Sequence, residues 1–317
     1  MPLPIVVSLE SASLPVVIPR PNTPHEWRDH ARTAATEVVE RLAGAQVALI
    51  NKTVLSAAVL AQLPDLRMIS VSATGTDNVD LAACRAQGVV VSNVRDYAAD
   101  TVPEHALLLM MALRRNLLAY VEDVRSGRWS RGASFGLFDR PVADLNGAVL
   151  AILGHGSLGE GLARRAAALG MRVLQVERKG AVDVRPGYTA FNEALAIADV
   201  VSLHCPLNEQ TRKLFGAAEF ARMKPSAVLI NTARGGLVDE LALATALREG
   251  RIAGAATDVL SQEPPPADHP LLAPDIPNLI VTPHMAWASA DAMQRLANTA
   301  VAHVDAFLRG EPVSRVA

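Results

Sequence analysis

The sequence predicts an α/β protein built from two doubly wound parallel-sheet domains, and three observations predict it. Short apolar runs alternate with helical patterns through almost the whole chain, the arrangement of successive β–α–β units. The runs are rich in Val and Ile and lack strict polar alternation, as strands buried on both faces require. The 317 residues are long for one core and suit two domains of ordinary size.

In chain order, Pro4–Leu9, Val47–Ile50, Met68–Ser72 and Val89–Ser92 read as strands. A long helix is predicted from Thr101: Thr101-Val102-Pro103-Glu104 has capping-box order with proline in the first turn, and the apolar run Ala106–Leu113 follows. No other predicted helix is so apolar, so this one is expected to be buried between layers or domains. Ser126–Gly147 has little regular pattern but holds Trp129, Phe135 and Phe138. A loop of that length with aromatic residues packs on something, either a partner subunit or the surface of its own chain. Val149–Leu153, Arg172–Val176, Val200–His204, Ala227–Asn231, Ala255–Val259 and Leu279–Thr282 also read as strands, with helical stretches such as Leu158–Leu169 and Glu240–Arg248 between them. A last amphipathic helix runs from about Ser289 to Leu308 and stops at Gly310, before Pro312.

Composition narrows the function classes. Half the residues are hydrophobic and 20% are charged, enough for buried cores with a soluble surface. A formal net charge of -2 argues against nucleic acid as a partner, which usually needs a basic surface. No run approaches a membrane span, and Met1-Pro2-Leu3-Pro4 lacks the basic and apolar regions of a signal peptide. Cys84 and Cys205 are too few for a disulfide framework or a cysteine-built metal site. The expectation is a cytoplasmic, metal-free protein.

The glycine-rich turn Gly154-His155-Gly156-Ser157-Leu158-Gly159 follows a strand and opens a helix. In this pattern the first glycine permits a tight turn, the second lets the backbone approach a pyrophosphate, and the third brings helix and strand together. The N–H groups and positive dipole end of the helix, at Ser157 and Leu158, would face the phosphates. Glu177, about 20 residues downstream at the next strand end, is placed to bond the adenosine ribose hydroxyls and to repel a 2′-phosphate, which favours NAD. Arg178 and Lys179 follow directly, and as cations they either accept a phosphate, which would admit NADP, or are solvated loop charges.

Three residues after later strands carry chemistry. Arg234, in Asn231-Thr232-Ala233-Arg234-Gly235-Gly236, offers a guanidinium that can grip a carboxylate by two parallel hydrogen bonds and polarise an adjacent carbonyl. His284, in Thr282-Pro283-His284-Met285-Ala286-Trp287, can donate a proton to a forming alkoxide and take it back in reverse. Glu263 would orient that ring and stabilise its doubly protonated form, as the acid of a catalytic triad does. His204-Cys205-Pro206 ends another strand and reads as shaping the adenine side, while His105 reads as a satisfied buried side chain. Ser157 lacks the G-x-S-x-G elbow spacing, which argues against a hydrolase.

Over nearly its whole length the chain resembles the D-isomer-specific 2-hydroxyacid dehydrogenases. The matching blocks are Ser72–Asp80, Val102-Pro103-Glu104-His105, the glycine turn, Asn231–Asp239, Thr257-Asp258-Val259 and Pro283-His284. The resemblance implies a Rossmann cofactor domain, residues 100–286, inserted into a flavodoxin-like substrate (lid) domain, residues 1–99 and 287–317, with the active site in the cleft between them and a homodimer as the assembly. It makes Arg234 the substrate-binding arginine, Glu263 the partner acid and His284 the proton donor. It gives cofactor contacts to Gly154, Gly156, Ser157, Leu158, Gly159, Glu177, Arg178, His204, Cys205, Pro206, Thr211, Thr232, Ala233 and His284, with the nicotinamide carboxamide near Asp258. It gives the substrate carboxylate to N–H groups around Ala73, Thr74 and Gly75, with Asn51 and Trp287 walling the pocket.

The blocks around Thr74, Arg114–Tyr120 and His284–Ser289 are most similar to the branch that reduces hydroxypyruvate and glyoxylate to D-glycerate and glycolate with NAD, or NADP, as the coenzyme. Phosphoglycerate and D-lactate-type dehydrogenases are the rivals of like chemistry. A dinucleotide-sensing corepressor of the same fold is the rival of a different class.

Overall fold

The computed structural model describes residues 2–317. The chain divides into two compact units, Met1–Ala98 with Ala288–Ala317, and Ala99–Trp287.

The first unit begins with β1 (Ile5–Ser8), β2 (Glu26–Asp29), α1 (Val38–Leu42), β3 (Val47–Ile50), α2 (Ala57–Leu60), β4 (Met68–Val71), α3 (Leu81–Gln87) and β5 (Val90–Asn93). Its five strands pair in the order β2-β1-β3-β4-β5, all parallel. That is the flavodoxin-like order, whose reversal falls between β1 and β3.

The second unit holds α4 (Thr101–Arg114), α5 (Leu117–Arg125), β6 (Val149–Leu153), α6 (Ser157–Ala168), β7 (Arg172–Val176), β8 (Tyr188–Thr189), α7 (Phe191–Ile197), β9 (Val200–Leu203), α8 (Ala217–Phe220), β10 (Val228–Asn231), α9 (Glu240–Arg248), β11 (Gly254–Thr257) and β12 (Leu279–Val281). Its strands pair in the order β12-β11-β10-β9-β6-β7-β8, again all parallel. Counted from β6 this is the dinucleotide-fold order with one strand added at the edge, and the order reverses between β6 and β9. The chain then returns to the first unit in α10 (Ala290–Leu308).

Each sheet is covered on both faces, which explains the Val- and Ile-rich runs. In the first unit Val7, Ala48 and Ile69 pack with Leu42, Leu60 and Cys84, whereas their strand neighbours Val6, Val47 and Met68 pack with Val304 of α10. In the second unit Leu150, Ile152, Val200 and Ile230 meet Met110 and Leu113 of α4 and Leu162 of α6, while the opposite face meets Leu195, Phe215 and Leu247.

Two strands differ from the sequence reading. β2, Glu26-Trp27-Arg28-Asp29, pairs among the described residues with β1 alone and is polar because it forms the sheet edge. β8 is two residues long, too short to leave a pattern. The capping box expected at Thr101 is also absent. Thr101 lies inside the first turn and its hydroxyl donates to Ala286 O (3.2 Å), while Glu104 pairs with Arg165 of α6 (3.2 Å). Tertiary partners outbid the local cap. The expected stop of the last helix is present, with Ser289 Oγ accepting from Ala292 N at its start.

The segment from Ser126 to Gly147 contains neither helix nor strand. Asp123 anchors it by pairing with Arg128 (2.9 Å) and Arg140 (3.2 Å), and Trp129 donates to Phe135 O (3.0 Å). Its aromatic rings remain exposed, Phe135 at 88% and Phe138 at 72%.

α6 carries the glycine turn and is held to the sheet by Leu162, which is fully buried. Leu162→Ala is expected to cost about 2–5 kcal/mol of stability, read as a lowered urea midpoint.

Candidate active site

Parallel pairing sets the site. Asn231 of β10 is in register with Thr257 of β11, and Thr257 with Val281 of β12, so the segments that follow these strands leave the sheet side by side. Adjacent strands lie about 4.8 Å apart, which puts the three exits within roughly 10 Å. Arg234 follows the first, Asp258 and Glu263 the second, and His284 the third.

His284 has φ +53°, the left-handed region that costs a residue with a side chain about 1–2 kcal/mol. Asp258 supports that conformation. Its backbone oxygen accepts from His284 N (2.8 Å), its Oδ1 from Met285 N (2.9 Å) and Thr282 Oγ1 (2.5 Å), and its Oδ2 from Ala286 N (2.8 Å). The carboxylate, 1% exposed, is therefore spent on the turn that presents the histidine. The Thr282 hydroxyl gives its one proton to Asp258, so His105 Nε2, 3.1 Å away, is the donor to Thr282 and the His105 side chain is satisfied.

Glu263 Oε2 lies 2.5 Å from His284 Nδ1, and Glu263 Oε1 accepts from Leu260 N (2.8 Å). An ionised carboxylate can only accept, so Nδ1 carries the proton and Nε2 is left as the nitrogen for a substrate oxygen. Arg234 is half-buried, its Nη1 donating to Ala233 O (2.8 Å) while Asn231 Nδ2 holds its backbone oxygen (3.0 Å). The next residue must be glycine: a Cβ on Gly235 would stand 1.9 Å from the Leu260 carbonyl carbon. The arginine turn and the Glu263 loop touch through their backbones there.

The glycine turn fits a dinucleotide. Gly154 has φ +100°, and a Cβ on it would meet the His204 backbone at 2.5 Å. Gly156 faces open space, so backbone is bare where a phosphate would approach, and α6 begins at Ser157. Three buried atoms at strand ends or in the turn, Thr232 Oγ1, His204 Nδ1 and His155 Nδ1, have no protein hydrogen-bond partner among the described residues. Leaving a buried polar atom unpaired costs about 1–3 kcal/mol, which a polar ligand along this edge would relieve. Burial, with a smaller push from His155, lowers the His204 imidazole to about 4, and burial raises the Cys205 thiol to about 11, so both are neutral wall groups. Thr211 Oγ1 is turned into its own loop, donating to Pro206 O (2.7 Å).

Glu177 does not face outward to a ribose. It is 4% exposed and accepts four hydrogen bonds, from Arg178 N, Arg185 N and the Arg185 guanidinium. The Arg185 side chain, followed by the Arg178 amide, holds its carboxyl down at about 2. Lys179 pairs with Glu219 (2.8 Å).

In the first unit, Glu10 Oε1 accepts from the amides of Asn51, Lys52 and Thr53, each at 2.7 Å, and Asn78 Nδ2 donates to Asn51 O and Thr53 O. The Ala73–Gly75 loop is held by Val94 N to Ala73 O (3.1 Å), Thr74 Oγ1 to Val94 O (2.8 Å) and Asn93 Nδ2 to Thr74 O (2.6 Å). The N–H groups of Ala73, Thr74 and Gly75 themselves have no protein acceptor among the described residues. Trp287 is half-buried, three residues after His284.

The model for the D-isomer specific 2-hydroxyacid dehydrogenase NAD binding domain matches residues 107–286, more than half of the chain. The chain belongs to the D-isomer specific 2-hydroxyacid dehydrogenase family. It is 50% identical over 310 residues, 97% of each chain, to glycerate dehydrogenase of Methylorubrum extorquens. It is 33% identical over 291 residues, 90% of each chain, to hydroxypyruvate reductase of Blautia hydrogenotrophica. Among solved structures, the NADPH-dependent glyoxylate/hydroxypyruvate reductase of Sinorhizobium meliloti in complex with citrate aligns with TM-score 0.82 at 28% identity, covering 99% of this chain and 98% of that one. This dehydrogenase is an NAD(P)-dependent oxidoreductase of two parallel-sheet α/β domains.

Sequence reasoning missed several groups that shape the site of this dehydrogenase. Glu240, at the start of α9, accepts from Ser261 N (2.7 Å), from the Ser261 hydroxyl and from His269 Nε2 (3.2 Å), bracing the loop that carries Glu263. Leu271 N donates to His269 Nδ1, so Nε2 bears the ring proton. Arg185 and Glu10 were missed too. No spacing rule links any of these to their partners, and only folding brings them together.

Removing the Asp258 carboxylate strips the acceptors from Met285 N and Ala286 N. Asp258→Ala is expected to lower the melting temperature and to cut kcat roughly a hundredfold, because the histidine loses its placement. A kcat within a factor of about two of wild type would reject this role.

Proposed function

We propose that this dehydrogenase reduces hydroxypyruvate and glyoxylate to D-glycerate and glycolate. The observation that carries the reading is the 2.5 Å contact of Glu263 with His284 Nδ1, beside the arginine turn and on the same sheet edge as the glycine cradle. Residues 100–286 form the proposed cofactor domain, and 1–99 with 287–317 the substrate domain.

Bound NAD(P)H supplies the hydride. Arg234 grips the substrate carboxylate through two N–H groups and polarises the adjacent carbonyl. The amides of Ala73, Thr74 and Gly75 are proposed as donors to a substrate carboxylate, and Asn51 and Trp287 as substrate-binding residues. His284 Nε2 delivers a proton to the carbonyl oxygen as its carbon becomes tetrahedral, and the product is the 2-hydroxy acid. Glu263 holds the ring through Nδ1 and stabilises the doubly protonated imidazole before that transfer. Thr232 Oγ1 and the turn at Gly154–Gly159 are assigned to the coenzyme.

The assembly is proposed to be a homodimer. Leu108, Met111, Leu118, Trp129, Phe135 and Phe138 are exposed on α4, α5 and the following segment, apolar side chains that a second subunit would cover. Light scattering should give twice the chain mass, and Phe135→Glu with Phe138→Glu should give the single-chain mass; a monomeric wild type would reject the dimer. The cytoplasm is the proposed location, since Cys84 and Cys205 are free thiols suited to a reducing compartment.

Initial rates of NADH and NADPH oxidation with hydroxypyruvate, glyoxylate, pyruvate and phosphohydroxypyruvate test the substrate. Hydroxypyruvate and glyoxylate should be the fastest. His284→Ala should lower kcat by about 10²–10⁴ with the coenzyme still bound. Arg234→Ala should act chiefly through KM. Preference for another acid would reject the substrate and keep the chemistry. Coenzyme binding without turnover of any acid would point to a dinucleotide sensor.

A further inference from the structure

We infer that Arg185 masks Glu177 and, with Arg178, turns the adenosine-ribose end of the coenzyme site into an acceptor for a 2′-phosphate, so that NADP(H) is bound and used at least as well as NAD(H). The inference rests on the reading that the glycine turn holds a dinucleotide.

A carboxylate at the end of the second strand discriminates by two means. It accepts hydrogen bonds from ribose hydroxyls, and it repels a phosphate on the 2′ oxygen. Both need free lone pairs and an uncompensated charge. Glu177 has neither. Oε1 accepts from Arg178 N and Arg185 Nη2, both at 2.8 Å. Oε2 accepts from Arg185 Nε at 2.6 Å and from Arg185 N at 3.2 Å. A carboxylate has about four acceptor positions, and these contacts fill them. The bidentate guanidinium also cancels its charge. The strongly depressed titration of Glu177 agrees with this geometry, since its anion is locked in place.

The masking group sits beside the cradle. The Arg185 guanidinium lies over the Tyr188 ring, 3.8 Å from its centroid, and Tyr188 meets the ring of His155 edge to face at 5.4 Å. His155 is the second residue of the glycine turn. The Arg185 side chain is 53% exposed, and after its two bonds to Glu177 its guanidinium keeps further N–H groups for an incoming anion. Arg178 is exposed, with no side-chain partner among the described residues. One carboxylate paired to the Arg185 guanidinium, with Arg178 next to it in sequence, leaves a net positive charge, the reverse of what an acid at this position alone would provide. Lys179 takes no part, being bound to Glu219 and to Leu214 O.

The test is equilibrium binding of NADPH and NADH, followed by nucleotide fluorescence, together with kcat/KM for each coenzyme with hydroxypyruvate. Wild type should bind NADPH at least as tightly as NADH. Arg185→Gln should expose the Glu177 anion and lower the NADPH-to-NADH ratio about ten- to a hundredfold, the worth of a charge-assisted hydrogen bond. Arg178→Gln, a change at an exposed side chain that leaves packing alone, should lower the ratio several-fold. Adding Glu177→Gln to Arg185→Gln should restore part of the loss, because no anion is then exposed. A wild type that prefers NADH, or a ratio unmoved in both Arg185→Gln and Arg178→Gln, overturns the inference. If no 2-oxo acid is turned over while NADPH still binds as stated, the functional reading fails and the binding half of this inference stands. If neither nucleotide binds, both fall.

Discussion

Parallel pairing within the second sheet is the constraint on which the site depends. Because every strand of β6–β12 runs the same way, every carboxyl end reaches one edge, and the loops that follow cannot be anywhere else. The glycine turn follows β6, Glu177 follows β7, His204 follows β9, Arg234 follows β10, Glu263 follows β11 and His284 follows β12. Residues spread over 131 positions of sequence, Gly154 to His284 inclusive, are thereby gathered along one line. Reversing any one strand would carry its functional residue to the opposite edge. Burial on both faces maintains the arrangement, since apolar side chains of both strand faces meet helices.

On that edge, three carboxylates of similar chemistry do different work because their partners differ. Asp258 is buried and spends its oxygens on backbone N–H groups, which fixes a histidine in a conformation its backbone would otherwise avoid. Glu263 is partly exposed and keeps one oxygen for the imidazole, so its charge sits against the His284 ring. Glu177 is closed off by an arginine eight residues later and keeps nothing for a ligand. Residue type gives none of these roles. The count of lone pairs already engaged gives all three.

Support around the site is layered in the same manner. Glu240 and His269 hold the loop that holds Glu263, and Gly235 lets the arginine turn lie against that loop without a side chain between them. Several of these are short-range contacts made by backbone atoms, which allow little drift. Reaction geometry that must be kept within a fraction of an ångström benefits from such bracing. In the first unit Glu10 plays a comparable part for the Asn51–Thr53 loop, filling three amides with one oxygen.

By itself the sequence determined the strands whose cores are Val and Ile, the glycine turn, the long helices and the positions of Arg234, Glu263 and His284. Each has a local cause: burial on two faces writes an apolar run, a tight turn demands glycine, and polar residues directly after such runs stand at strand ends. Edge strands β2 and β8 were illegible because an edge is half solvated and needs no apolar pattern. The cap at Thr101 was misread because Glu104 and the Thr101 hydroxyl find partners on distant segments. Only the tertiary structure decided that Glu177 is masked, that Asp258 braces the histidine turn, and that Glu240 reaches Ser261. Hydrogen bonds between segments far apart in sequence depend on where folding places them, and a one-dimensional pattern carries no record of which lone pairs are already taken.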